Sequence, residues 1–511
     1  MPHRTVADTG SFPVNPDGVA QWLAELRPLE SEADARHVYR GLKHSNRLHN
    51  DVDQRRSVIS CFVPVLRDLH RHLSELSDAQ PLPLTREFAR NARLRDSLLR
   101  EEAFAFKILL CDSEKPLADD ARRAMQALAR QAESVVHAFR SFPDALIEDA
   151  HQLYALAEEH RLLSSQQGSE LLSLLDHYRF ILMLSVADLS QQRARQLPLI
   201  LEFLRNAVAD IHIERQRPPK TVGNTDYAID LKQGSLPEPA HSLLSFNQDD
   251  VRWFSVAPLL YRIDQMSAKI KHRATGILGS DTLERQSLAR LHVAVARSRQ
   301  RRLARRITHT PMRVVFGHKE ICAHLLYRPT EIPADSESNW VVTNETLHGM
   351  CLHNSTCRAG LVQVGELVSV TAPDKPLISE NAAHNGKVNA LLGVIRWIHA
   401  SGSEGITIGV EFLARTLLPV HVTRDTQQAE SNSSDTRQHG LAEVGENAVI
   451  IACKFQNTVI QTMLLPSYLY QAGDRLVAAQ GVKSRTMQLS KCLQTNGLFS
   501  QYSLNDTQES G

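Results

Sequence analysis

The sequence predicts an α+β multidomain chain: an all-helical N-terminal module, then a small antiparallel β-barrel or sandwich, then a further β-rich section. Three observations predict it. From about residue 16 to 215 the text is dense in Leu, Ala, Arg and Glu, with few glycines and with apolar residues spaced three and four apart, as one buried helical face requires. At Ile307 the period changes, and short apolar runs follow one another between Gly, Pro, Asn and Ser. The 511 residues leave room, at about 150 per unit, for about three folding units.

Within the helical module, taken as residues 1–215, Val38, Leu42, Val52, Leu66, Leu69 and Leu73 fall on one face, and Pro64 is expected to kink or split the segment that carries it. Leu98–Leu110 and Ala121–Phe139 carry the same stripe. These stripes read as the core of a bundle. No carboxylate or histidine pair recurs at di-metal spacing, so the module reads as a scaffold or a docking surface for a protein partner. Gln216-Arg-Pro-Pro-Lys220 breaks the text and opens a helical linker region over 216–300. There Trp253–Lys271 reads as a helix bent at Pro258. Asp281 can cap a second helix, with Glu284 closing a capping box and Leu288, Leu291 and Val295 on the apolar face.

Strands are expected from Ile307. Met312–Phe316 and Ile321–Leu326 read as a hairpin around Gly317, followed by Trp340–Thr343, Leu361–Val364, Leu367–Val370, Leu391–Ile398 and Ile406–Leu413. Asn385-Gly386 is a tight-turn dipeptide. The polar stretch Arg424–Glu446 reads as a flexible loop, 423–447, before a second β-rich section over 448–511 with strands at Ala448–Lys454, Thr458–Leu465, Arg475–Ala479 and Arg485–Leu489. The text shows no internal repeat.

Lys and Arg number 58 against 57 Asp and Glu, so global charge points to neither a nucleic acid nor a membrane surface. No run approaches the roughly 18 apolar residues of a membrane span, and the opening MPHRTVADTG has no apolar core of a secretory signal. Seven scattered cysteines argue against a disulfide framework, which makes the reducing cytoplasm the expected compartment.

Against that neutral background, Arg297, Arg299, Arg301, Arg302, Arg305 and Arg306 crowd into ten residues just ahead of the first strand. Guanidinium forks bind phosphate bidentately and stack on bases. A solvated basic helix end would carry the same residues. Asn344-Glu-Thr346-Leu-His-Gly349, after the strand Trp340–Thr343, gathers an amide, a hydroxyl and a glycine in one turn. An amide can read a purine edge, a hydroxyl can donate to phosphate, and glycine permits close approach, although ordinary turns use the same residues.

Together the two pieces resemble the PilZ domain. Arg302-Leu-Ala-Arg-Arg306 resembles that family's RxxxR element, with Arg301 and Arg305 forming an overlapping copy. Asn344-Glu-Thr346-Leu-His-Gly349 resembles its (D/N)xSxxG element with Thr for Ser. Val364-Gly365-Glu366-Leu367, Gly393-Val-Ile-Arg396-Trp397 and Ile408-Gly409-Val-Glu411-Phe412 are similar to its later turn and closing strands. The resemblance covers about 301–422. It implies a six-stranded antiparallel PilZ-type barrel that binds cyclic di-GMP, a bacterial second messenger. Arg302 and Arg306 would meet phosphate and stack on guanine, Asn344 and Thr346 would contact guanine or its phosphate, and Gly349 would leave room. Ligand binding would then bias how the helical module meets a partner.

Other chemistries are not supported. Cys351, His353 and Cys357 lack zinc-ligand spacing, no Walker or dinucleotide loop is present, and neither a cyclase GGDEF nor a phosphodiesterase signature occurs. The expected protein is a receptor without catalytic residues, metal or cofactor. The rival readings are a ligand-free PilZ adaptor working through protein contacts and, less favoured, a nucleic-acid binder using the arginine run.

Overall fold

The computed structural model describes the chain except residues 1–11, 27–30, 78–79, 81, 164–171, 218–224, 241–248, 274–279, 297–304, 328–338, 358–359, 361, 373–386, 401–404, 426–444, 456–457 and 507–511. It divides into two compact units, one of residues 1–80 with 84–300, the other of 81–83 with 301–511. No division falls at 215, so the linker region belongs to the same unit as the helices before it.

Among the described residues, the first unit opens with eight α-helices: α1 (Pro16–Glu25), α2 (Glu32–Ser45), α3 (Val52–Ser77), α4 (Arg86–Asp112), α5 (Ala118–His137), α6 (Asp144–Glu159), α7 (Leu174–Val186) and α8 (Leu197–Ala207). Their starts follow local chemistry. Ser31 and Asp34 close a capping box on α2, Ser173 and Asp176 close another on α7, and Thr85 caps α4. Of the expected stripe, Val38, Leu42, Leu66, Leu69 and Leu73 are fully buried, whereas Val52, the first residue of α3, is only partly buried. Pro64 does not split its helix; α3 runs through it for 26 residues.

The linker region departs from the all-helical expectation. Strands β1 (Ile213–Glu214), β2 (Asp226–Asp230), β3 (Glu238–Pro239) and β4 (Val251–Ser255) form an antiparallel sheet in the order β1-β4-β2-β3. Trp253 therefore lies in a strand, and the helix expected there starts later, as α9 (Ala257–Arg273), with Pro258 in its first turn where the missing N–H costs nothing. A polar cluster ties the sheet to the bundle. The His151 ring on α6 bonds the Tyr178 hydroxyl of α7 at 2.8 Å and the Ser235 carbonyl at 3.1 Å, while Arg252 of β4 pairs with Glu158 of α6. Helix α10 (Ser280–Ala296) begins one residue before Asp281, so Asp281 lies inside the helix rather than capping it; Leu288, Leu291 and Val295 are buried as expected.

The second unit contains two closed barrels. The first comprises β5 (Arg306–Phe316), β6 (Trp340–Glu345), β7 (Gly349–Asn354), β8 (Leu367–Thr371), β9 (Leu391–Ala400) and β10 (Ile406–Ala414), joined all-antiparallel in the ring β5-β6-β7-β10-β9-β8. Its core includes fully buried Trp340, whose ring lies 5.4 Å from that of Phe316. The second comprises β11 (Leu417–Arg424), β12 (Glu446–Phe455), β13 (Thr458–Pro466), β14 (Arg475–Gln480), β15 (Lys483–Thr495) and β16 (Phe499–Asp506), in the ring β11-β12-β13-β16-β15-β14.

Several strand expectations change. Ile321–Leu326 is not a strand but lies in α11 (His318–Tyr327), because three apolar residues at helical spacing, Ile321, Cys322 and Leu325, face one core. Leu417–Val422 belongs to the second barrel rather than the first. Val362 makes only an isolated bridge, with Leu82. Asn385-Gly386 and most of the Arg424–Glu446 loop lie outside the described residues; the two ends of that loop are strand termini. Helix α11 joins the barrels. Ile321, Cys322 and Leu325 pack in one cluster with Leu392 and Val394 of β9 and with Leu417, Ile451, Leu464 and Phe499 of the second barrel, and the His318 ring bonds the Leu464 carbonyl at 3.1 Å.

Candidate functional site

Of the residues singled out in the sequence, Arg305, Asn344, Thr346 and Gly349 come together beside the β6–β7 turn of the first barrel. Strand β6 ends at Glu345, β7 starts at Gly349, and three residues turn between them. The Thr346 hydroxyl builds that turn: it accepts from the backbone N–H of Gly349 at 3.1 Å and of His348 at 3.3 Å, and the Thr346 N–H donates to the Gly349 carbonyl at 2.8 Å. This is the local side-chain-to-backbone bonding that Ser and Thr offer at turns. Gly349 is required by its neighbour strand, since a Cβ there would sit 2.5 Å from the Val410 carbonyl oxygen. Asn344 stands opposite Ile307 of β5 and Cys351 of β7, beside an irregularity in each ladder.

Arg305, Asn344, Thr346 and Gly349 line one pocket of about 260 Å³ with His348, Met350 and Cys351, and strands β9 and β10 complete it with Arg396, Trp397, Gly409, Val410 and Glu411. The last group escaped notice as site residues, although the sequence holds a signal for them. Gly393 and Gly409 interrupt strands, and an interior strand glycine marks a close approach. At Gly409 a Cβ would overlap the Trp397 indole, so the glycine is the seat on which that ring lies. Trp397 is half-buried, 5.4 Å from the His399 ring. Arg396 pairs with Glu411 across the β9–β10 ladder, both about half exposed.

The two arginine registers separate here. Arg305 lines the pocket, whereas Arg306 is the first residue of β5, exposed and 3.9 Å from Glu345. Arg301 and Arg302 lie outside the described residues. An exposed pair such as Arg306–Glu345 is worth about 0–1 kcal/mol, so a phosphate could replace the carboxylate at little cost. The arrangement offers guanidinium groups for anions, a flat indole, and amide and carboxylate acceptors for the N–H edge of a base. Metal chemistry finds no support: among the described residues no group of three or more His, Cys, Asp or Glu could hold an ion. Cys351 is buried on β7, the His353 ring bonds the Thr407 hydroxyl at 3.0 Å, and burial pushes the Cys357 thiol up to about 12.

Comparison with known proteins bears on the other unit. Residues 17–219 match the family model described as "Cyclic-di-GMP receptor FimW, N-terminal domain". The chain is 24% identical over 218 residues to the cyclic-di-GMP receptor FimW of Pseudomonas aeruginosa, an alignment covering 40% of this chain and 36% of that relative. No solved structure matches. Among the described residues no helix is long and apolar enough to cross a membrane.

Proposed function

We propose that this chain is a receptor for cyclic di-GMP, a binding protein rather than an enzyme, working in the bacterial cytoplasm. We further propose that the first barrel is a PilZ-type domain holding the messenger at the β6–β7 turn. The observation that carries the reading is the pocket itself, in which residues distant in sequence, Arg305, Asn344 and Thr346–Gly349, converge with Arg396 and Trp397. The similarity of the helical part to a protein named a cyclic-di-GMP receptor supports it independently.

The chemistry fits the ligand. Two phosphates call for cationic forks and two guanines for flat faces and edge acceptors. Trp397 offers a face to a base, Asn344 and Glu411 offer acceptors to the guanine N–H edge, and Arg305 and Arg396 meet phosphate. A pocket of about 260 Å³ seats only part of a dinucleotide, being just below the roughly 300–1,000 Å³ of ligand sites. Arg301, Arg302 and Arg306 are therefore proposed to cover the remainder. Thr346 and Gly349 shape the turn rather than grip the ligand.

Calorimetric titration of the full chain with cyclic di-GMP tests this, with GTP as control and the Arg302→Ala/Arg306→Ala and Arg305→Ala/Arg396→Ala variants alongside. Saturable binding at micromolar or lower concentration, weakened by about 100-fold in the second variant, is expected from the loss of two charge-assisted contacts. No binding by calorimetry or equilibrium dialysis would overturn the reading and leave the barrel as a protein adaptor. A steep fall of affinity with salt on a polynucleotide, with no response to the dinucleotide, would point to the nucleic-acid reading instead.

A further inference from the structure

The two barrels share one wiring diagram. Numbering the strands of each from one to six, the first barrel pairs 1–2, 2–3, 3–6, 6–5, 5–4 and 4–1, every pair antiparallel. The second pairs 1–2, 2–3, 3–6, 6–5, 5–4 and 4–1, again all antiparallel. Only Arg415 and Thr416 separate the last strand of one from the first strand of the other. A six-strand ring can be wired in many ways, so identical order in adjacent barrels marks a structural repeat that the sequence did not disclose.

Among the described residues, the parts that build the pocket in the first barrel have no counterparts in the second. Ahead of β11 stands a single arginine, Arg415, stacked on Phe412 at 5.4 Å rather than directed at a turn. Between strands two and three the first barrel has the glycine-ended turn Thr346–Gly349. The second has only Gln456 and Asn457 between Phe455 and Thr458. The first barrel admits close approach of strand β10 and of the Trp397 ring at Gly349, Gly393 and Gly409, on its third, fifth and sixth strands. The corresponding strands β13, β15 and β16 contain no glycine at all, and none of the three carries a tryptophan. In exchange, the second barrel contributes Leu417, Ile451, Leu464 and Phe499 to the cluster around α11, the helix inserted between the two strands that bear Arg306 and Asn344.

We infer that the second barrel is a ligand-blind repeat of the first, one that buttresses α11, so that all messenger binding by this chain is confined to the first barrel. The inference rests on the receptor reading above. It is tested on the full chain by hydrogen exchange read by mass spectrometry, with and without saturating cyclic di-GMP, together with titration of Arg305→Ala/Arg396→Ala, whose exposed side chains leave the cores intact. Expected is gained protection at 344–351 and 391–411 and none at 454–460 or 483–495, with the variant keeping only a single site weakened about 100-fold and no site of wild-type affinity. Protection in the second barrel's hairpins, or a site of wild-type affinity surviving in the variant, would overturn the inference while leaving the receptor reading in place. Absence of binding by the wild-type chain would overturn both.

Discussion

At the scale of single residues, the site rests on a distinction between groups that touch a ligand and groups that shape the backbone. Thr346 belongs to the second kind, because its hydroxyl already serves the His348 and Gly349 N–H groups. Thr346→Ser keeps that hydroxyl and should bind cyclic di-GMP within about threefold of wild type, a difference of under 1 kcal/mol. Thr346→Val keeps the shape but removes the acceptor. It should lose about 1 kcal/mol of stability in urea unfolding and bind at least about tenfold more weakly as the turn relaxes. Equal binding by the Ser and Val variants would show that the hydroxyl does not shape the site. This residue pattern was legible in the sequence as a turn, and Asn344, Thr346 and Gly349 do meet around one pocket. Trp397 and Glu411 were legible only through the strand glycines Gly393 and Gly409, which mark a close approach but do not say which face the strand residues present to an end-on pocket. Only the register that sets Trp397 opposite Gly409 brings them there.

At the scale of elements, legibility followed the strength of the period. The long helices α3, α4 and α5 carry several turns of stripe each, and their faces are buried as read. Helix α11 has ten residues, and a run of five or six apolar residues fits a strand or a helix equally well. What decides it is the shared core between the barrels, a tertiary fact. The two- and five-residue strands β1 to β4 are too short to show alternation at all. One junction of elements carries a pH prediction. His151 joins α6 to α7 and to Ser235, and burial holds its pKa at about 4 despite the favourable Ser235 carbonyl. His177 on α7 is likewise held at about 4 by burial, with Arg122 and Arg130 adding repulsion. An unfolded histidine takes its proton near pH 6.5, so below that value the unfolded chain binds protons that the folded one refuses. The stability due to neutral burial is complete above pH 6.5 and lost as pH falls toward 4. Between pH 6.5 and 5 the loss should be about 1.5 kcal/mol per histidine. Urea unfolding of the helical unit at these two pH values should show it, and His151→Gln/His177→Gln should flatten the slope even if it lowers stability throughout. An unchanged slope would remove the two histidines as its cause.

At the scale of the whole molecule, the residues similar to the named receptor, 17–219, and the residues proposed to hold the messenger fall in different compact units. A receptor built this way can signal through its helices only if the ligand distinguishes two states of the molecule; equal affinity for both would shift nothing. Thermodynamics separates the two contributions. At 100 times Kd, ligand stabilises the barrel it binds by about 2.7 kcal/mol, so the slowest-exchanging amides of the first barrel should slow by about 100-fold. Coupling between sites is smaller, about 1–3 kcal/mol, so amides in α3 to α7 should respond by a lesser factor in the same experiment. The helical response should shrink in Arg305→Ala/Arg396→Ala at the same ligand concentration, where a site weakened about 100-fold gains only about 0.4 kcal/mol, because it is driven only by occupancy of the first barrel. If the first barrel responds in full and the helices not at all, the messenger's effect ends within the second unit. Its output would then have to leave through the barrel surface rather than through the bundle.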